Sequence, residues 1–182
     1  MAAGAKALIP ARSAKEPDWS RIRMKQHTYD IRLDWTGNVG DGTNTYKGYR
    51  RDHTIVANGK AAIHGSSDPS FRGDPSRYSP EELLVASLSA CHMLWYLHLC
   101  SANNISVLEY RDAASGLMQE HEDGSGEFTR VLLRPNVQLR PGDDEAKALE
   151  LHKQAHRLCF IARSVNFLVE VNPEIRATAT SA

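Results

Sequence analysis

Ser79-Pro-Glu-Glu-Leu-Leu-Val-Ala-Ser-Leu-Ser-Ala-Cys91-His-Met93 is the stretch around which the rest of the chain is organised. Ser79 is suited to cap a helix, Pro80 to its first position, and Glu82 completes a capping box. The spacing predicts a helix from there to about residue 101, with Asn103-Asn104 able to end it. Leu83, Leu84, Val85, Leu88, Met93, Leu94, Trp95 and Leu97 cover nearly every side of it. A helix apolar all round is a central, buried helix. Ala86, Ser87, Ser89 and Ala90 keep one stretch thin, so that another backbone can come close. In a chain of 182 residues one small sheet covers one face of such a helix. The other face is expected to meet a second copy, giving a two-fold dimer.

Outward from this helix the pattern changes period. Tyr29, Ile31, Leu33 and Trp35 alternate with Asp30, Arg32 and Asp34, which predicts a strand with one buried face. A Gly-rich stretch over residues 37–44 turns the chain, and a second strand is expected over 45–56. Asn58-Gly59 is a two-residue hairpin signal leading to a short strand over 61–64. Residues 66–80 form a loop long enough to be functional. On the other side, strands are expected near 106–120 and 127–139, with a turn at 122–126. Pro141-Gly142-Asp143 stops the second of these and caps a helix over 144–158, and a last strand over 164–171 ends at Pro173. The order β-β-β-α-β-β-α-β reads as α+β with a mostly antiparallel sheet.

Composition removes some function classes. The chain carries 22 basic and 22 acidic residues, which argues against nucleic acid as a partner. The longest apolar run begins at Leu83 and is interrupted by His92 and His98, so no membrane span is expected. Residues 1–23 hold Lys6, Arg12, Lys15, Arg21 and Arg23 without a continuous apolar segment. They are expected to be a loose arm rather than a secretory signal, before a single domain over 24–182 in the cytoplasm.

Three cysteines remain to be explained: Cys91, Cys100 and Cys159. Cytosolic thiols stay reduced, so paired cysteines there bind metal or cycle through oxidation more often than they brace a fold. The ordinary reading of any one of them is a small buried hydrophobe. Cys100 lies on the opposite helix face from Cys91 and is read as packing. His152, His156 and Cys159 fall on one helical stripe, a donor set that suits zinc. The ordinary alternative is a polar helix face. A reactive cysteine needs a cation to hold its thiolate. Arg72 in the long loop, and Arg50 and Arg51 in the second strand, are the candidates. Glu81 or Glu82 could orient an arginine through a paired contact, or simply cap the helix. Met93, Trp95 and Phe160 would give a dry pocket, or core.

The stretch Pro80-Glu81-Glu-Leu-Leu-x-Ala-x-Leu-x-Ala-Cys91 resembles the first cysteine motif of the OsmC/Ohr family of hydroperoxide reductases. Ala155-His156-x-x-Cys159 resembles the second, and the likeness covers roughly residues 24–176. The resemblance implies an intertwined homodimer with active sites at the interface. It implies that Cys91 attacks the peroxide and Cys159 resolves, and that Glu81 positions a catalytic arginine, Arg72 first and Arg50 second. The substrate so implied is an organic hydroperoxide and the reductant a dithiol, with no cofactor. The thiols are then expected to lie within disulfide range. His92 departs from the family, which often has an aromatic there, and Phe160 stands where proline is common. A metal-binding module on His152, His156 and Cys159, perhaps with Cys91, and a non-catalytic dimeric binding protein are the alternatives.

Overall fold

The structure is a computed structural model that describes residues 25–177. The chain divides into two units, Met1–Asp30 and Ile31–Ala182. Of the first, only residues 25–30 are described, and they have no regular structure. The arm expected over 1–23 lies outside the described residues. Every helix and strand among the described residues belongs to the second unit.

The local signals around the first helix are all realised. Helix α1 spans Pro80–Ala102. Ser79 Oγ accepts from the Glu82 amide at 3.2 Å, and Glu82 Oε2 accepts from the Ser79 amide at 2.8 Å, closing the capping box. Asn103 caps the far end, and Asn104 takes a left-handed conformation at φ 59°. Helix α2 spans Glu145–Leu158. Its cap is Asp144, not Asp143, whose carboxylate instead accepts from the Ser106 amide at 2.6 Å.

Nine strands flank these helices among the described residues. β1 (Arg32–Trp35), β2 (His53–Val56) and β3 (Ile63–Gly65) form one antiparallel sheet in sequence order. β4 (Val107–Asp112), β5 (Ser115–Glu120), β6 (Gly126–Leu133), β7 (Pro135–Leu139), β8 (Leu168–Val171) and β9 (Glu174–Arg176) form two more. In one, β7 lies between β4 (antiparallel) and β9 (parallel). In the other, β6 lies between β5 (antiparallel) and β8 (parallel). The class is α+β as expected, but the order is β-β-β-α-β-β-β-β-α-β-β. The two long strands each break in the middle, and a further strand comes after Pro173. The break has a tertiary cause. Asp112 Oδ1 takes the Arg134 amide at 2.7 Å, and Arg134 reaches back to the Ala113 carbonyl at 3.0 Å.

The second strand is also shorter than expected. Residues 37–52 form a turn-rich loop, so Arg50 and Arg51 precede β2 rather than lying in a strand. Trp35 Nε1 donates to the Arg50 carbonyl at 2.9 Å and ties this loop to β1. Arg51 lies 4.4 and 4.1 Å from the ring centres of Tyr46 and Tyr49.

Two core clusters meet along α1. Leu88 packs with Val131, Leu133 and Val169 of the β5-β6-β8 sheet. Tyr96 and Cys100 pack with Val137 and Leu139 of β7 and with Ala148, Leu151 and Ala155 of α2. Fully buried residues on α1 are thus Leu88, His92, Tyr96 and Cys100, one stripe at four-residue spacing. The helix is apolar all round but, within one chain, fully buried along that stripe only; Leu94 is 63% exposed. By length and hydropathy alone α1 also qualifies as a membrane span, because His92 and His98 do not lower the mean enough. That corrects only the reading that no apolar run is long enough to cross a bilayer; a core helix passes the same test.

Candidate functional site

The site is built where α2 ends against the middle of α1. Cys159 caps α2: its φ of −64° is still helical, and its ψ of 110° turns the chain away only after it. Its Sγ accepts from the Ala162 amide at 3.4 Å. The thiol of Cys91, a half-buried residue on α1, lies close enough to act on it electrostatically. Burial pushes the Cys159 thiol up to about 11, and Cys91 beside it adds to the rise. Cys159 therefore holds its proton at neutral pH. Two cysteines 68 residues apart in sequence are neighbours in space, with both thiols free. Cys100, as expected, takes no part; it is 1% exposed in the core.

A model of OsmC-like proteins matches residues 73–174, a span that includes both cysteines. The chain belongs to the OsmC-like protein family. An OsmC-like protein of unknown function from Vibrio cholerae is similar in structure, with a TM-score of 0.69 at 32% identity. That likeness covers 84% of this chain and all of the other. An organic hydroperoxide resistance protein from Elizabethkingia anophelis shares the fold at a TM-score of 0.60 and 20% identity, covering 85% of this chain and all of its own. The uncharacterized protein YmaD of Bacillus subtilis is 21% identical over 154 residues, 83% of this chain and 95% of its own length.

The remaining expected residues divide. Glu81 opens α1 and faces a groove of about 690 Å³ with Val85, Met93, Tyr110, Met118 and Phe128. Its Oε2 is buried and has no hydrogen-bond partner. Arg72 is exposed, closes a short 3-10 turn (Pro69–Phe71) at φ 68°, and forms no ion pair with Glu81 in this chain. The loop that carries it is nonetheless ordered. Asp52 and Ser66 are buried, Ser66 Oγ accepts from the Asp74 amide at 3.0 Å, and Arg77 bridges Asp74 and Asp52 at 3.4 and 3.9 Å. Gly73 is required there, since a Cβ would collide with the Ser67 carbonyl.

The apolar set expected around Cys91 splits in two. Trp95 and Phe160 meet edge to face at 5.5 Å, whereas Met93, two residues from Trp95 and so on another helix face, lines the groove with Glu81. The metal-binding alternative finds no support in the arrangement of the side chains. Among the described residues no group of three or more His, Cys, Asp or Glu side chains is placed to hold a metal ion. His152 is instead turned inward, against His92 and Tyr96.

That inward turn is the feature the sequence reading missed. His152 is 2% exposed, stacks on Tyr96 at 3.7 Å, and its Nδ1 lies 3.0 Å from Nε2 of His92. His92, expected only to interrupt an apolar run, occupies the buried stripe between Leu88 and Tyr96. Burial holds His92 down at about 4 and His152 at about 3, so both are neutral at physiological pH. The four-residue spacing with Leu88, Tyr96 and Cys100 was the available signal.

Proposed function

We propose that this OsmC-like protein is a thiol-dependent peroxidase that reduces organic hydroperoxides in oxidative stress defence. The closeness of the Cys91 and Cys159 thiols carries the reading. Hydroperoxide-resistance proteins with the same fold support it. The Cys91 thiolate attacks the outer peroxide oxygen, the O–O bond breaks, and the alkoxide leaves as an alcohol after taking a proton. Cys91 is then a sulfenic acid. The Cys159 sulfur attacks it, water leaves, and a Cys91–Cys159 disulfide forms. An external dithiol reduces that bond and resets both thiols.

The unpartnered oxygen of Glu81 is the seat for a guanidinium, which Arg72 supplies first and Arg50 second. Both side chains are exposed, while Arg51 is already held by its own loop carbonyls and two tyrosines. The groove beside Glu81, with Met93, and the Trp95–Phe160 pair are the apolar surfaces for the organic part of the substrate. The working form is a homodimer in the cytoplasm, its second copy covering the open sides of α1 and of the β1–β3 sheet. The test is hydroperoxide consumption with an alkyl hydroperoxide and a dithiol. Turnover by the wild type and none by Cys91→Ser is expected. No turnover by either leaves a non-catalytic binding protein.

A further inference from the structure

We infer that His92 and His152 form a clamp that sets the register of α1 on α2 at which Cys91 meets Cys159. Each cysteine belongs to one of the two helices, and the clamp sits between them. His92 follows Cys91 directly; His152 lies two turns before Cys159. The only hydrogen bond between side chains of the two helices, among the described residues, is the 3.0 Å contact of His92 Nε2 with His152 Nδ1. The rings are stacked almost parallel, 5.3 Å apart with 7° between planes. Tyr96 packs on His152 from one turn further along α1. The core cluster that packs α1 on α2, with Tyr96, Ala148, Leu151 and Ala155, is apolar and non-directional, whereas a directional bond between two buried rings fixes one arrangement.

Each ring also has one nitrogen with no partner: Nδ1 of His92 and Nε2 of His152. The pair therefore makes a single bond and has no second anchor to hold it when that bond is lost. Two neutral imidazoles can share one proton between them; two charged ones cannot, since both facing nitrogens then donate. The groups that face the pair offer no counter-charge. From α1 comes the ring of Tyr96; from α2 come His156, whose proximity depresses His92 further, and Lys153 and Arg157, which line the cavity beside His152. Tyr110 on β4 packs on Tyr96, and β8 contributes Val169 and Val171 to the same cavity. No carboxylate is among them. Acid thus opens the clamp, and the two thiols lose their alignment. His92 is a positioning residue, since it does not touch the reacting sulfurs.

The inference rests on Cys91 and Cys159 joining, and its test uses no peroxide. In full-length protein carrying Cys100→Ser, 4,4′-dithiodipyridine forms a mixed disulfide on the half-exposed Cys91 and releases one thiopyridone. Cys159 then attacks that sulfur, closing the disulfide and releasing a second thiopyridone, whose rate is read by absorbance. The reagent works in acid, and the ratio between variants at each pH cancels the common change in thiolate fraction. Near pH 7 the wild type is expected to close about tenfold faster than His92→Leu, because a misplaced reacting atom costs that much or more. The ratio is expected to fall toward about one only toward about pH 3 and below, where both rings become charged; a singly charged pair keeps one donor and one acceptor. His92→Gln, whose amide nitrogen reaches the place of Nε2, is expected to close within about twofold of wild type near pH 7.

A wild-type to His92→Leu ratio near one at pH 7, or a ratio independent of pH, overturns the clamp. Should His92→Leu fail to fold, the ratio of His92→Gln to wild type decides. A value rising above one toward about pH 3 supports the clamp and a flat one overturns it. Closure behaving as expected without hydroperoxide turnover would count against the peroxidase reading alone.

Discussion

Nε2 of His92 lies 3.0 Å from Nδ1 of His152, joining the helix that carries Cys91 to the helix that ends at Cys159. The bond is buried and both rings are neutral at physiological pH. It gives the molecule an acid-sensitive joint next to a pair of thiols.

Stability should therefore fall with acid in a defined window. Both rings titrate in the folded state below the ordinary 6.5, at about 4 and about 3. Between those values the unfolded chain binds more protons, so stability is full above about pH 6.5 and declines as pH falls toward about 3. Urea unfolding from about pH 7 to 4 measures this. The wild-type midpoint is expected to drop more steeply than that of His92→Leu, from which one of the two rings is missing. Parallel profiles would contradict the assignment.

Cys100 serves as the internal control. Cys100→Ser should keep hydroperoxide turnover within about twofold of wild type, while Cys91→Ser abolishes it. Placing a hydroxyl in the dry core should cost about 1–3 kcal/mol of stability. Equal losses of activity from both changes would mean that Cys91 and Cys100 are not separated by helix face.

The arginine is assigned by the pH dependence of Cys91 alkylation. Arg72→Ala should shift the profile to higher pH and slow attack, with Glu81→Gln doing the same more mildly. A shift for Arg50→Ala alone would move the role to Arg50. Unchanged profiles in both would leave Cys91 as an ordinary half-buried thiol.

Open apolar surface predicts self-association. Ile31, Leu33 and Trp35 of the first hairpin are 62%, 55% and 43% exposed, and Leu94 projects from the uncovered side of α1. Patches of this kind mark interaction surfaces. Light scattering at micromolar concentration should give about 40 kDa, twice the chain mass of 20.2 kDa. A monomer mass would contradict the dimer.

Much of this was legible in the sequence, and the reason is locality. The capping box of Ser79 and Glu82 acts within a few residues and appears where expected. Asn58-Gly59 turns the chain, but inside the loop between Val56 and Ile63 rather than as a two-residue hairpin. The alternation through Leu33 and Trp35 gives a strand, Arg32–Trp35, but the buried face expected of it is exposed within one chain. The second motif placed Cys159 beside Cys91 through likeness rather than through any local rule. What local reading missed depends on distant partners. Asp112 breaks two strands by binding an amide 22 residues away. Arg50 and Arg51 fall in a loop because Trp35 and two tyrosines hold it. His92 and His152 are 60 residues apart, and nothing near either one announces the other.

The most direct measurement is a peptide map after one equivalent of an alkyl hydroperoxide has been added to the fully reduced protein. A two-cysteine peroxidase consumes the hydroperoxide, joins the peptides of Cys91 and Cys159 by a disulfide, and leaves Cys100 a free thiol; that is the predicted result. Unconsumed hydroperoxide with all three thiols free, or a disulfide that involves Cys100 instead, would contradict it.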